Sequence, residues 1–394
     1  MAAESSSTEE IAWSRLFPWI RIFRGVGFSI DGRKLILAAL GLVVLHLGWE
    51  GLDRLFPASS KLTPPVLTDG QSYLPTKGHE FVGSLWAIPF HLIEPARYVV
   101  GPFVAVFSTE VDGWAFLHAV CASVWTIVVW GFFGGAICRI GVLQAAQGRR
   151  ISLFKSLKFA AAHCLTLTLS PLSPFLGVAL VAIFGSLFGL LYRLPESIGP
   201  TFAGILLFMP LLGGLVIAII VTALAVGWPL IHATVAVEAE DGFDALSRSY
   251  AYVHQRPGRY AAYALLAWLT GCFGLLFVQV FARVVLHLCQ WSLSFTAPPD
   301  LLAGLFGTSP SQNSSTAVSL HSAWIYGLSL LVRGWVFAYF WTAAGIIYLL
   351  LRRDVDGTDL HLVAIEEPPT PEPAPADPVK PDNPSPELAP ATAG

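Results

Sequence analysis

Long apolar runs alternate along the chain with short polar interruptions, and the runs exceed what the core of a water-soluble domain needs. Six are predicted to cross a membrane as helices, near Leu35–Leu55, Trp114–Ile137, Phe159–Leu191, Thr201–Val237, Ala261–Leu288 and Ala323–Leu351. A helical span takes about 20 apolar residues to cross a hydrocarbon layer about 30 Å thick. The predicted class is an all-α, polytopic membrane protein with juxtamembrane amphipathic helices. Composition agrees: 12% of residues are charged and 55% hydrophobic. A soluble domain carries roughly a quarter charged residues, so this chain could not solvate a globular surface of its length.

The polar interruptions carry the topology. Arg15, Arg21, Arg24, Arg33 and Lys34 precede the first span, and Arg139, Arg149, Arg150, Lys155 and Lys158 follow the second. Arg248, Arg256 and Arg259 follow the fourth, and Arg352 and Arg353 the sixth. Basic residues stay on the cytoplasmic side, which places both termini there. Residues 1–33 then form a cytoplasmic arm with an amphipathic segment, in which Pro18 interrupts or restarts a helix. Residues 34–351 form the membrane domain, with an outer loop over 56–113. Residues 352–394 form a cytoplasmic tail, disordered where proline is dense from Ile365 onward. The opening "MAAESSSTEE" has no basic region leading into an apolar one, so no cleaved signal peptide is expected.

Within the outer loop, "FVGSLWAIPFHLIEPARYVVGPFVAVF" (81–107) is long enough to span, but Pro89, Glu94, Pro95, Arg97 and Pro102 interrupt it. The expectation is one or two short helices on the outer membrane surface, with a re-entrant hairpin as the alternative. Spans three and four carry "SPLSP", with Pro171 and Pro174, and "MPLLGG", with Pro210. Broken helices of this kind build substrate sites in transporters; the plainer reading is a kink that aids packing. Gly131/Gly135 and Gly185/Gly189 have the four-residue spacing of close helix contacts.

"EDGFDALSRSYAYVHQRPGRY" (240–260) is the sharpest polar interruption. As a helix from Gly242 to about His254 it aligns Phe243, Leu246, Tyr250 and Val253 in one apolar stripe. Asp244 and Arg248 stand at i,i+4 on the polar side, and Asp241 is placed to cap the start. The segment reads as an amphipathic helix lying along the cytoplasmic surface. Ser152 is placed to cap a similar helix before the third span.

Candidate chemistry is sparse. No acid lies in the central turns of any span, and "HEFVG", "GVGFSI", "DVDG" and "GSLFG" each lack a residue that their chemistry requires. Cys121, Cys138, Cys164, Cys272 and Cys289 form no C-x-x-C pair and read as small buried hydrophobes. His46, His163, His232 and His287 read as hydrogen-bond partners between helices. Arg283 and Arg333 sit about one span length from the cytoplasmic ends. They are expected to snorkel to the outer headgroups and to pair there with Glu94, Glu110, Asp112 or Glu196. A membrane enzyme would require His91 and Glu94 to converge with Arg283 or Arg333. No basic stripe with interleaved aromatics points to nucleic acid, and no cofactor or metal signature is present.

The stretch "WPLIHATVAVEAEDGFDALSRSYAYVHQRPGRY" is similar to a segment of multi-pass membrane proteins of Planctomycetes, as are "WGFFGGAICRIGVLQAA" and "LKFAAAHC…SPLSP". More distantly, "DALSRSYAYV" resembles a surface helix of YciC-like and glycerophosphodiester-phosphodiesterase membrane domains. The resemblance covers roughly residues 80 to 350 and implies a bacterial inner-membrane protein; it carries over no catalytic residue. The leading expectation is a non-enzymatic protein that organises or assists a membrane complex, with the lipid bilayer and a membrane protein as partners. The alternative is a permease for a small solute or lipid, using the segments around Pro171–Pro174 and Pro210–Gly214.

Overall fold

A computed structural model describes residues 18–57, 73–74, 78–108, 112–195, 198–239, 241–299, 302, 306 and 316–364. The first part of the arm and the Pro-rich tail from 365 lie outside the described residues. Among those described, the chain forms 12 α-helices and no strand. Pro18 opens a single 3₁₀ turn, Pro18–Ile20, that leads into α1 (Arg21–Phe28). Then follow α2 (Gly32–Leu55), α3 (Gly78–His91), α4 (Glu94–Val106), α5 (Gly113–Gln147) and α6 (Leu153–Ala162). The rest are α7 (Cys164–Gly189), α8 (Gly199–Ile205), α9 (Phe208–Glu238), α10 (Gly242–Gln255), α11 (Pro257–Leu293) and α12 (Thr316–Asp356). Six of these, α2, α5, α7, α9, α11 and α12, are long and apolar enough to cross a membrane.

The six do not share the core equally. In α12, 94% of the apolar window is buried, against 11% in α7 (measured with the turn that follows it) and 6% in α9. α12 is the central post, with α2, α5, α9 and α11 packed around it. Its aromatic side chains interleave with theirs: Phe337 stacks on Trp130 at 4.6 Å, Phe340 on Trp228 at 5.5 Å, and Trp335 and Trp341 are fully buried. Glycine makes room for such rings. On α2, a Cβ at Gly48 would fall inside the Trp125 indole, whose N–H donates to the Leu45 carbonyl at 3.3 Å. Gly48→Ala is therefore expected to cost about 1–3 kcal/mol by overpacking, read as a lower thermal midpoint in detergent. Gly27→Ala, which meets open space, is the control.

Several boundaries move. α5 runs to Gln147, ten residues beyond the predicted end, so Arg139 is a buried helical residue and not a loop cation. Its guanidinium donates to the Ala236 carbonyl at 2.6 Å and lies over the Phe159 ring at 4.5 Å. Lys34 is likewise inside α2, fully buried, with Nζ 3.1 Å from Thr342 Oγ1 on α12. Among the cysteines only Cys138 is buried, and Cys289 is exposed on α11.

The prolines break less than expected. α7 runs unbroken through Pro171 and Pro174. A helical proline frees the carbonyl four residues before it; for Pro174 this is Ser170, whose oxygen accepts the Ser173 hydroxyl at 2.9 Å. Pro210 sits in the first turn of α9, where no N–H is needed, and the break falls before it at Leu206–Leu207. Gly131 and Gly135 admit α7 against α5: a Cβ at Gly135 would lie 2.5 Å from Leu167. Gly185 and Gly189 meet nothing within 4 Å and form no such contact among the described residues.

The hairpin α3–α4 packs one face against the spans, while Trp86, Phe90 and Val104 are exposed. Tyr98 is fully buried, stacked on Trp49 at 5.6 Å and edge-on to Phe337 at 5.7 Å. The Trp268 indole donates to the Pro89 carbonyl at 3.2 Å, and Phe103 stacks on Phe175 at 4.5 Å. The tip, Leu92–Ile93, reaches Gly271, where a Cβ would come within 3.0 Å of Leu92. Gly271 lies 14 residues into α11, about 21 Å along its axis. The turn supplies hydrogen bonds to its own backbone: Leu92 N–H bonds Ile88 O, Ile93 N–H bonds Phe90 O, and Arg97 N–H bonds Ile93 O.

Candidate functional site

The packed face of α4 carries Glu94 beside Arg333 of α12. Arg333 is 4% exposed and does not snorkel. Its Nε donates to Glu94 Oε1 at 2.8 Å, and its Nη2 donates to the same oxygen and to the Tyr98 hydroxyl. The guanidinium also lies 5.6 Å from the Tyr73 ring centroid and 5.4 Å from that of Tyr98. The His91 ring packs tilted against the other partner of this group, Tyr73, at 4.1 Å. Thus Glu94 and Arg333 meet directly, and His91 joins them through Tyr73. Arg283 is half-buried on α11, one turn beyond Gln279. Asp112 caps α5 through the Ala115 N–H at 2.7 Å; Glu110 and Glu196 lie outside the described residues.

Chemically, the cluster is a packed ion pair capped by two aromatic rings. A proton-transfer or nucleophilic site needs reacting groups that face a space for substrate. Here Nε and Nη2 of Arg333 are directed into the Glu94–Tyr98 contact, while Nη1 and Glu94 Oε2 are buried with no hydrogen-bond partner among the described residues. The arrangement fastens the hairpin to the central helix.

A second cluster stands at the arginine-rich end of the bundle. Glu238, the last residue of α9, accepts from Tyr348 at 2.6 Å, from Arg352 at 3.1 Å and from Arg248. Tyr252 donates to Asp356, and Tyr263 donates to Asp354 at 2.8 Å while Arg259 pairs with the same carboxylate at 2.7 Å. Thr234 and Ser249 share a buried hydrogen bond of 2.9 Å. Burial first, then Asp356, raises the Tyr252 phenol above its ordinary value, so it stays a donor. α10 is therefore docked onto α9 and α12, and is more than a helix resting on a membrane. Its buried face is Ala245, Ser249 and Tyr252, while Phe243 of the predicted stripe is 77% exposed. The ion pair that anchors Arg248 runs to Glu238, ten residues back, and Asp244 is exposed. Asp241 stands at the N-cap with extended backbone, but its side chain accepts no hydrogen bond there. Ser152 does cap α6, through Lys155 N–H at 3.3 Å.

Asp31, just before α2, closes the same end. Its carboxylate accepts from Arg33 at 2.9 Å and from Gln144 at 2.7 Å, while Arg33 also donates to the Ile151 carbonyl. The Arg33 guanidinium, assisted by the Arg33 N–H and Gln144 against the opposing effect of burial, holds this carboxyl down at about 2. A carboxyl depressed in the folded state stabilises fully above its ordinary value of 3.8, and that stabilisation is lost as pH falls through about 2. Asp31→Asn is expected to remove this part of the acid sensitivity, seen as a flatter thermal midpoint between about pH 5 and about pH 2.

Pro171 and Phe175 of α7 line a cavity with Val99, Phe103, Trp130 and His232. Nothing in that lining is an acid, lysine or arginine. Around Pro210–Gly214, α9 meets α7 closely at Gly213, where a Cβ would lie 3.0 Å from Val181, while Gly214 meets nothing within 4 Å. Two of the histidines bond locally and not between spans: His163 Nδ1 to Phe159 O at 3.0 Å and His232 Nδ1 to Trp228 O at 3.2 Å. Glu238 and Tyr98 went unread in the sequence. A lone acid closing an apolar run was the available signal for Glu238; Tyr98 had none.

No protein-family model, no curated protein sequence and no solved structure gives a significant match to this chain.

Proposed function

We propose that this is a non-enzymatic protein of a bacterial inner membrane, with both termini cytoplasmic, that organises or assists a membrane complex. The resemblance to planctomycete multi-pass proteins belongs to the same proposal. One observation carries the reading: the contrast between the tightly packed core, which takes in the second half of α9 from Leu224 to Val237, and α7 with the first half of α9, where burial is slight. Leu176, Leu180, Phe184, Leu211, Leu215 and Ile219 on that pair are each at least half exposed. Where α7 lies beside the first half of α9, the pair makes an apolar surface for another membrane component. Among the described residues, the deeply buried charged groups Lys34, Arg139, Glu94 and Arg333 are engaged in contacts with neighbouring helices. A permease for a polar solute would need a polar passage beside Pro171 or Gly213, where the lining is apolar or the helices meet closely.

The test places a photo-crosslinking amino acid at Leu180 or Leu215 in native membranes. A discrete protein adduct of constant mass is the expected result, with its partner retained in mild detergent. Adducts with lipid alone from both positions would remove the support for an assembly role.

A further inference from the structure

Where α1, the start of α2 and the end of α5 meet, the arginine-rich end of the bundle holds an open cleft of about 970 Å³. The segment that follows α12 forms a further wall, fastened by Gln147, whose Nε2 donates to the His361 carbonyl at 3.1 Å. Four arginines line the cleft, Arg21, Arg24, Arg33 and Arg150, against one acid, Asp31, among the described residues. That acid is already engaged, accepting from Arg33 Nε at 2.9 Å and from Gln144 Nε2 at 2.7 Å. Setting the Asp31–Arg33 pair aside leaves Arg21, Arg24 and Arg150 with no carboxylate in the lining to answer them.

The three are within reach of a ligand. Arg24 and Arg150 are exposed and make no side-chain hydrogen bond or ion pair among the described residues. Arg21 is half-buried and donates to the Ala145 carbonyl at 3.4 Å. Burial, then the charges of Arg24 and Arg353, lower the Arg21 guanidinium from its ordinary value, and the opposing effect of Asp359 is smaller. Like charges gathered in this way repel, and an entering anion relieves the repulsion. The cleft also stands at a definite depth. Asp31 lies four residues before Leu35, where the apolar run of α2 begins, about 6 Å along a helix axis. Phospholipid headgroups occupy that depth. Ile30 in the lining is 45% exposed, and Phe23 and Ile36 on the flanking helices are 49% exposed, so apolar surface borders the charge.

Basic residues at this end also set topology, but topology asks for charge alone, and Lys155 and Lys158 supply it from outside the cleft. A lined cleft with surplus arginine asks for a ligand. A single carboxylate answers one guanidinium; a phosphate offers oxygens to several at once, and arginine is the side chain that matches it. A zwitterionic head brings a cation of its own, which the surplus positive charge opposes. Basic pockets at the ends of membrane helices take anionic headgroups in this manner. We infer that the cleft binds the phosphate group of an anionic ligand through Arg21, Arg24 and Arg150, the ligand being an anionic phospholipid or a soluble phosphoester. The inference does not depend on the assembly role, which the crosslinks at Leu180 and Leu215 test separately.

The experiment compares the full chain with two double variants, Arg24→Gln/Arg150→Gln in the cleft and Lys155→Gln/Lys158→Gln outside it. Each removes two positive charges from the same end, and all four residues are exposed, so the fold is expected to survive; thermal midpoints check this. In maltoside detergent each protein is titrated with dioleoylphosphatidylglycerol, with dioleoylphosphatidylcholine as the neutral reference, and bound lipid is counted by native mass spectrometry. In phosphatidylcholine nanodiscs each is titrated with glycerol phosphate by calorimetry. The expected result is one phosphatidylglycerol held in preference to phosphatidylcholine. The cleft variant should weaken it about tenfold, as loss of charge-assisted hydrogen bonds implies, and the lysine variant less than about twofold. That outcome makes the bilayer the source of the ligand. Glycerol phosphate bound with the same dependence on the cleft, without a preference for phosphatidylglycerol, would support the site and make its ligand soluble. Equal weakening in the two variants, or binding of neither probe, would overturn the inference.

Discussion

Glu94→Leu is expected to destabilise the protein by about 3–5 kcal/mol, because it leaves the Arg333 guanidinium buried without its carboxylate. Both partners are withdrawn from solvent, with side chains 5% and 12% exposed, so water cannot replace the lost contact. Arg333→Met is expected to cost less: the Glu94 carboxyl can take up a proton and stay neutral, a route closed to arginine. The double variant Glu94→Leu/Arg333→Met should recover most of the loss, since a buried pair pays desolvation twice and an apolar pair of similar size pays none. Thermal unfolding in detergent, followed by tryptophan fluorescence, gives the three values. If Glu94→Leu shifts the midpoint no more than a surface substitution does, the pair is solvated and the account of the hairpin anchor is wrong.

The same pair shows what could be read from the sequence. Six spans were legible because crossing a bilayer demands a run length that nothing else in the chain imitates. Their packing was not. The hairpin α3–α4 reads as a surface segment because Pro89, Pro95 and Pro102 look like interruptions. Yet Pro95 falls in the first turn of α4, where proline costs nothing, and the Pro89 carbonyl is used by Trp268. What holds the hairpin against the spans is Glu94 meeting Arg333, 239 residues away, and a pairing at such separation leaves no local pattern. α10 makes a related point. Apolar periodicity selects Phe243, Leu246, Tyr250 and Val253, but the surface that receives the helix offers Thr234, Glu238 and Asp356. The docked face centres on Ala245, Ser249 and Tyr252, with Leu246 and Val253 of the stripe packed at its edge and Phe243 left exposed. An amphipathic stripe identifies a helix; it identifies the buried face only when the receiving surface is apolar.

That docking surface is the basis of the second large effect. Glu238 is the point where α9, α10 and α12 meet, and its side chain is 6% exposed. Glu238→Ala removes the acceptor of Tyr348, Arg352 and Arg248 together, and hydrogen bonds to a charged group are worth about 1.5–3 kcal/mol each before solvent compensates. Arg248 is 43% exposed and recovers water readily, so its pair is screened and counts for little. The loss therefore falls on Tyr348 and Arg352, and about 2–3 kcal/mol of local stability is expected to go. Because the loss is confined to one face of the short helix α10, which also packs through Ala245, Leu246, Tyr252 and Val253, it should appear as local opening. Amide exchange over Gly242–Gln255 is expected to accelerate about 30- to 100-fold in nanodiscs, while the buried middle of α12 keeps its protection. Arg248→Ala provides the contrast, with an effect under about 1 kcal/mol. Equal acceleration in the two variants would mean that the Thr234–Ser249 bond and the packing of Ala245 hold the helix, and that Glu238 does not. A much larger effect in Glu238→Ala would identify a single carboxylate as the latch by which a polar surface helix is fixed to the ends of two apolar ones.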